Sequence, residues 1–306
     1  MNPLKAAVIG VGYLGRFHAL KYAAMEDVEL LGVVDIDQDR AVLVSRETGT
    51  EAYTSAEGII DRLDAVSIAV PTSAHAEVAM PFLERGIAVL LEKPIAARIE
   101  DAVSLIDAAH RGSAMLQIGH LERFNPALKR LQSSITRPMF IEAHRISPFR
   151  QRGADVDVIL DIMIHDLDII LSLVKSEVAS VESVGVPVLT GSVDIANTRI
   201  KFTSGCIANI TASRVSADVM RKIRIFQSDS YISIDFAQSA VDIYTLTEHR
   251  EITHTHLKID DSDALAAELR SFVDAVREGS QVEVDGEAGL KAVEMAYRIK
   301  DTMIVP

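Results

Sequence analysis

The stretch "KAAVIGVGYLGRF", Lys5 to Phe17, decides the fold. Its apolar start has strand character and runs straight into "GVGYLG", Gly10 to Gly15, which fits G-x-G-x-x-G. A glycine-rich turn that follows a strand and opens a helix marks a dinucleotide-binding unit. Gly10 permits the tight turn, Gly12 lets a pyrophosphate approach the backbone, and Gly15 lets the helix pack closely on the strand. The helix N-terminus then offers unpaired N–H groups and the positive end of its dipole to the phosphates. Gly10, Gly12, Tyr13, Leu14 and Gly15 are therefore expected to contact the cofactor.

"VVDID" ends the next strand with Asp35, about 20 positions past Gly15, where such units carry an acid. A carboxylate there accepts ribose hydroxyls and repels a 2′-phosphate, which favours NAD over NADP. Ile36 belongs to the same cofactor-facing turn. Arg40 reads either as a residue that accommodates a 2′-phosphate or as a solvated charge on the helix surface.

Outward from this motif the chain has two grammars. "VELLGVVDID", "AVSIAVPT", "IAVLLEKP" and "AMLQIGHL" alternate with helical segments such as "SAHAEVAMPFLERG". Near-continuous apolar strands with intervening helices imply a parallel sheet covered on both faces. After about residue 122, "PMFIEAHRISP", "SVESVGVPVLTG", "DIANTRIKFTSG", "CIANITASRVS", "MRKIRIFQSD", "SYISIDFAQS" and "AVDIYTLTE" come at hairpin spacing, with two long helical segments set among and after them. The expected fold is α/β: an N-terminal Rossmann dinucleotide-binding domain over residues 1–121, then an α+β domain over residues 122–306 built on a largely antiparallel open sheet.

Composition bounds the function. The chain has 306 residues with 48% hydrophobic content, and its formal charge of −13 disfavours nucleic acid or an anionic membrane as a partner. No apolar run approaches the roughly 20 residues of a membrane span. The single cysteine, Cys206, forbids an intramolecular disulfide and fits a reducing cytoplasm. The expectation is a cytoplasmic enzyme for a small molecule, and the strand-rich second domain offers a sheet face for a homodimer or homotetramer.

Ligands of open parallel sheets sit beyond the carboxyl ends of the strands. Pro71, Thr72 and His75 of "AVPTSAH" are expected there, as are Glu92 and Lys93 of "LLEKPIA", where a nicotinamide would lie. A lysine half-buried against a cofactor loses solvation, and its pKa falls toward the working range. It can then hydrogen-bond a reacting oxygen and help relay its proton. The isomer of the Lys93–Pro94 bond stays open.

In the second domain, "VILDIMIHDLDIILSLV", Val158 to Val174, is apolar except at Asp161, His165, Asp166, Asp168 and Ser172. Residues 161, 165 and 168 are spaced to share one helix face, and a polar stripe on a buried helix is costly unless it lines a site or is paired. Asp166 lies off that face and is expected to play a structural part. The acid and imidazole ligand types could hold a metal, but no second histidine pair with zinc spacing accompanies them, and none is expected.

The motifs "GVGYLG", "PTSAH", "EKP" and "DIMIHDLD", with the late "LAAELRSFVDAVREG", resemble those of the glucose–fructose oxidoreductase, inositol dehydrogenase and rhizopine-catabolism (Gfo/Idh/MocA) family over nearly the whole chain. The resemblance implies that Lys93 is a catalytic-site residue and that Asp161 and His165 match the Asp-x-x-x-His pattern carrying the acid–base histidine. His165 would then remove a hydroxyl proton as hydride leaves the same carbon, with Asp161 orienting it or holding a neighbouring hydroxyl. "ERFNP" and "MIHDLD" are similar to family members acting on nucleotide sugars. Arg123, Asn125, Arg150 and Arg152 are expected to hold such a substrate, or else are ordinary surface groups. The function implied is NAD-dependent oxidation of a secondary hydroxyl of a sugar, nucleotide sugar or cyclitol. The alternatives are a variant that retains its cofactor through the cycle and a non-catalytic nucleotide sensor.

Overall fold

The computed structural model describes residues 2–149, 157–259 and 263–306. The chain divides into two compact units, Met1–Leu121 with Asp263–Leu290, and Glu122–Ser262 with Lys291–Pro306.

The first unit carries β1 (Leu4–Ile9), α1 (Tyr13–Ala23), β2 (Val28–Val34), α2 (Gln38–Thr48), β3 (Glu51–Tyr53), β4 (Ala65–Ile68), α3 (His75–Leu83), β5 (Ala88–Glu92), α4 (Ile99–Gly112) and β6 (Leu116–Gly119). Among the described residues its sheet has six strands, all parallel, in the order β3-β2-β1-β4-β5-β6. That is the Rossmann order, and it reverses between β1 and β4, where such sheets open a crevice at their carboxyl ends. Helix-covered parallel strands must be apolar on both faces, and every residue of β4 and β5 is buried.

The second unit holds α5 (Pro126–Leu131), β7 (Phe140–Ile146), α6 (Ile164–Leu173), β8 (Val178–Val186), β9 (Ile195–Phe202), β10 (Ile207–Ser213), β11 (Met220–Phe226), β12 (Ser230–Asp235), β13 (Ala240–Leu246) and β14 (Ile252–Lys258). The chain continues as α7 (Ala264–Glu278), α8 (Gly286–Asp301) and β15 (Met303–Ile304). Among the described residues the nine strands of the second sheet run β14-β13-β12-β11-β7-β10-β9-β8-β15. β7 with β10 and β8 with β15 are parallel; the other pairs are antiparallel. The expected α/β architecture with a largely antiparallel second sheet is the one observed. No helix among the described residues is long and apolar enough to cross a membrane.

The division differs from the expected boundary at one place. Residues 263–290 follow the strands of the second unit in sequence but belong to the first. Leu265, Leu269, Phe272 and Val273 of α7 are buried in one cluster with Val8, Ala19, Tyr22 and Leu90. The stripe at helical spacing needs an apolar partner, and the flank of α1 supplies it. Arg270 also binds Asp27 (2.8 Å), and Lys21 pairs with Asp263 at the cap of α7.

Phe272 is fully buried, so Phe272→Ala should cost about 3–5 kcal/mol in urea unfolding. A loss under about 1 kcal/mol would mean that α7 is not part of this core.

Candidate active site

The glycine turn is built as its spacing requires. Gly10 has φ +80°, and a Cβ on it would meet the Ala69 carbonyl oxygen at 2.8 Å. At Gly15 a Cβ would stand 1.8 Å from the Gly10 carbonyl oxygen, so only glycine lets α1 lie against the turn. A Cβ on Gly12 would meet nothing within 4 Å, and no side chain caps α1 there. Beside this open N-terminus Tyr13 is 68% and Ile36 is 95% exposed, apolar surface set where a flat ring can cover it.

Asp35 does more than its position predicts. It is buried, its Oδ2 accepts from the Val11 N–H (2.9 Å), and its Oδ1 accepts from the Asp37 N–H (2.9 Å). It therefore ties the glycine turn to the end of β2. Arg40 donates from Nη1 to the same carboxylate at 3.2 Å and contacts Asp37 at 3.2 Å, so it is engaged by both acids of "VVDID". The two N–H groups and the long Arg40 contacts at 3.2 and 3.3 Å take up the roughly four lone-pair sites of this carboxylate, so hydroxyl donors would take the place of Arg40 there. The open turn, the uncapped helix and this acid fit a dinucleotide.

The strand ends beyond it divide into exposed and buried groups. Pro71 is exposed and Thr72 half-buried, in the turn before α3. His75, expected to border the crevice, is instead 1% exposed. Its Nδ1 lies 2.9 Å from the Pro94 carbonyl oxygen and its Nε2 lies 3.0 Å from that of Val70. Burial pushes its pKa below the usual value, against the pull of those carbonyls. His75 therefore fastens the end of β4 to the turn after β5. The Lys93–Pro94 bond is cis. Lys93 is half-buried, whereas Glu92 does not project with it. The Glu92 side chain turns inward, with Oε1 3.1 Å from Nε2 of the fully buried His18, off the hydrogen-bonding direction. Oε2 accepts from the Lys93 N–H at 3.3 Å.

In the second unit the expected helix begins as a π turn, Ile159–Met163, before α6. The Asp157 carboxylate accepts from the N–H groups of Ile159 and Leu160, both at 3.1 Å, and starts that turn. Asp161 and His165 are both half-buried, as a shared face implies. Asp168 departs from it: 3% exposed, it pairs with Arg123 at 3.3 Å. Arg123 is thus held by an internal acid, and Asn125 caps α5, its Oδ1 accepting from the Ala127 N–H (3.0 Å). Asp166 is structural as expected, buried on Arg145 at 2.8 Å, and Arg145 also binds Glu122 at 2.7 Å. Arg145 was legible, since it falls on the buried phase of β7 with Ile141 and Ala143. Arg150 and Arg152 lie outside the described residues.

A Rossmann unit with an open glycine turn and an acid at the end of β2 defines a dinucleotide-binding class of protein. Residues 4–120 match the model of the oxidoreductase family with NAD-binding Rossmann fold, and residues 128–233 match the GFO/IDH/MocA C-terminal domain. The chain belongs to the Gfo/Idh/MocA family of NAD-binding oxidoreductases. It is 38% identical to UDP-N-acetylglucosamine 3-dehydrogenase of Acidithiobacillus ferrooxidans, over 98% of this chain and 97% of that one. A solved structure of that protein superposes with a TM-score of 0.94 over 99% and 98% of the two chains. The chain is also 28% identical to scyllo-inositol 2-dehydrogenase (NAD(+)) of Bacillus subtilis, over 91% of this chain and 87% of that one.

Because Asp35 anchors Val11 as well as facing the turn, Asp35→Ala should destabilise the protein without cofactor by about 1–3 kcal/mol and also weaken NAD binding. Urea unfolding and calorimetric titration check this; full stability with weakened NAD would leave Asp35 no part in the turn.

Proposed function

We propose that this chain is an NAD-dependent dehydrogenase that oxidises a secondary ring hydroxyl of a nucleotide sugar, with C3 of UDP-N-acetylglucosamine as the first candidate. The observation that carries the reading is the half-buried Lys93 at the carboxyl end of β5, in the same parallel sheet as the glycine turn. The full-length likeness to the enzyme of Acidithiobacillus ferrooxidans supports the substrate. The balance is a CH–OH group and NAD⁺ going to a carbonyl, NADH and a proton.

Bound NAD supplies the hydride acceptor. His165 takes the hydroxyl proton, and Asp161 orients its ring or holds a neighbouring hydroxyl. Lys93, its ammonium partly stripped of water, donates a hydrogen bond to the same oxygen as it becomes a carbonyl oxygen. Asp35 receives the ribose hydroxyls, and the N–H groups at the start of α1 receive the pyrophosphate.

NADH should form when the protein is mixed with NAD and UDP-N-acetylglucosamine, and far more slowly with inositols. Lys93→Met and His165→Ala should each lower kcat by about 10²–10⁴-fold with NAD affinity nearly unchanged. The double variant should lose much less than the product of the two, because both groups serve one oxygen. Near-normal kcat in Lys93→Met would remove Lys93 from the chemistry.

A further inference from the structure

Behind Lys93 the first unit buries two carboxyl groups that the proposed reaction does not use. Glu92 ends β5, and Glu268 lies on α7 with 0% exposure. Glu268 falls on the stripe of Leu265, Leu269 and Phe272 by helical spacing, an acid on an apolar face. The two are unequally provided for. Glu92 has the Lys93 N–H at 3.3 Å and His18 Nε2 at 3.1 Å, and it is folded over β6 where Gly119 makes room. A Cβ at Gly119 would stand 3.0 Å from Cδ and Oε1 of Glu92. Neither oxygen of Glu268 has a hydrogen-bond partner among the described residues.

The titratable groups that face Glu268 are Glu92 from β5 and Tyr22 from α1, with His18 on Glu92. None of them offers Glu268 a cation in contact. The Tyr22 hydroxyl is committed to Ser67, 2.8 Å away. A buried carboxylate with no donor and an anion beside it is not sustained; it takes a proton. Burial, with the repulsion of Glu92 added, pushes the Glu268 carboxyl well above its ordinary range.

We propose that Glu268 stands protonated at neutral pH and is a positioning residue for Lys93: as a neutral wall it leaves Glu92 the one anion behind the strand end. Glu92 is thereby kept on the Lys93 N–H, beside His18, and the backbone that carries the lysine is fixed with it. An ionised Glu268 would repel Glu92 from that seat. The Lys93 half of this inference rests on the proposed dehydrogenase reading; the protonation of Glu268 does not.

The test uses the full chain and two variants, E268Q, which keeps a neutral polar group of the same shape, and E268L, which keeps volume alone. The infrared difference between the parent protein and E268Q at neutral pH should contain the carbonyl stretch of a protonated carboxyl. Thermal unfolding without cofactor gives the same answer by linkage. A raised folded pKa means that the native state holds a proton the unfolded chain releases, so the parent loses stability as pH rises from about 4.5 toward that pKa. E268Q lacks this loss, and its melting temperature should gain on the parent's steadily over that window. A missing carboxyl band with a pH-independent gap overturns the proposal whatever the activity. For the positioning half, E268L should lose kcat about tenfold or more with NAD affinity kept, and E268Q should recover most of it. Full kcat in E268L, with the band present, removes the positioning role. If the parent protein reduces NAD with no nucleotide sugar or cyclitol, the dehydrogenase reading fails while the infrared result stands.

Discussion

Everything in the first unit depends on how closely α1 can lie against the turn that precedes it. The Gly10 carbonyl oxygen occupies the place where any side chain at Gly15 would begin. With that approach allowed, α1 starts at Tyr13 with an uncapped N-terminus, and Asp35 can reach across to the Val11 N–H. The open turn is thus a consequence of backbone packing, and the buried Asp35 holds its frame.

The same economy recurs at the other strand ends. His75 and Glu92 sit beside residues read as functional, yet both turn inward and hold the ends of β4 and β5 in place. In the second unit the acids of "IHDLD" divide in the same way: Asp166 and Asp168 are spent on Arg145 and Arg123, and Asp161 and His165 remain at partly exposed positions. A short stretch of mixed polar residues therefore contains both buried ion-paired acids and partly exposed polar groups.

The fold was legible because its signals are periodic and local. Apolar runs, the glycine spacing and the hairpin rhythm after residue 122 each state an element and its neighbours. Partners distant in sequence were not legible. That α7 joins the first unit depends on its stripe meeting α1 rather than the strands just before it, and sequence order suggests the opposite. Inward or outward rotamers of His75, Glu92 and Arg123 depend on which carbonyl or acid the tertiary fold brings near, which adjacency in sequence does not show. The three-residue strand β3 gave too short a pattern to register. Glu268 and Arg145 could have been found, since each is a charged residue on the apolar phase of its own helix or strand.

The central claim is direct hydride transfer from a sugar carbon to NAD on this frame. The measurement that meets it most directly uses UDP-N-acetylglucosamine deuterated at C3, with the reduced cofactor recovered and analysed by mass spectrometry. The account predicts one deuterium in each NADH formed and a primary isotope effect on a turnover limited by chemistry. Unlabelled NADH, or no reduction of NAD by any nucleotide sugar or cyclitol, would contradict it.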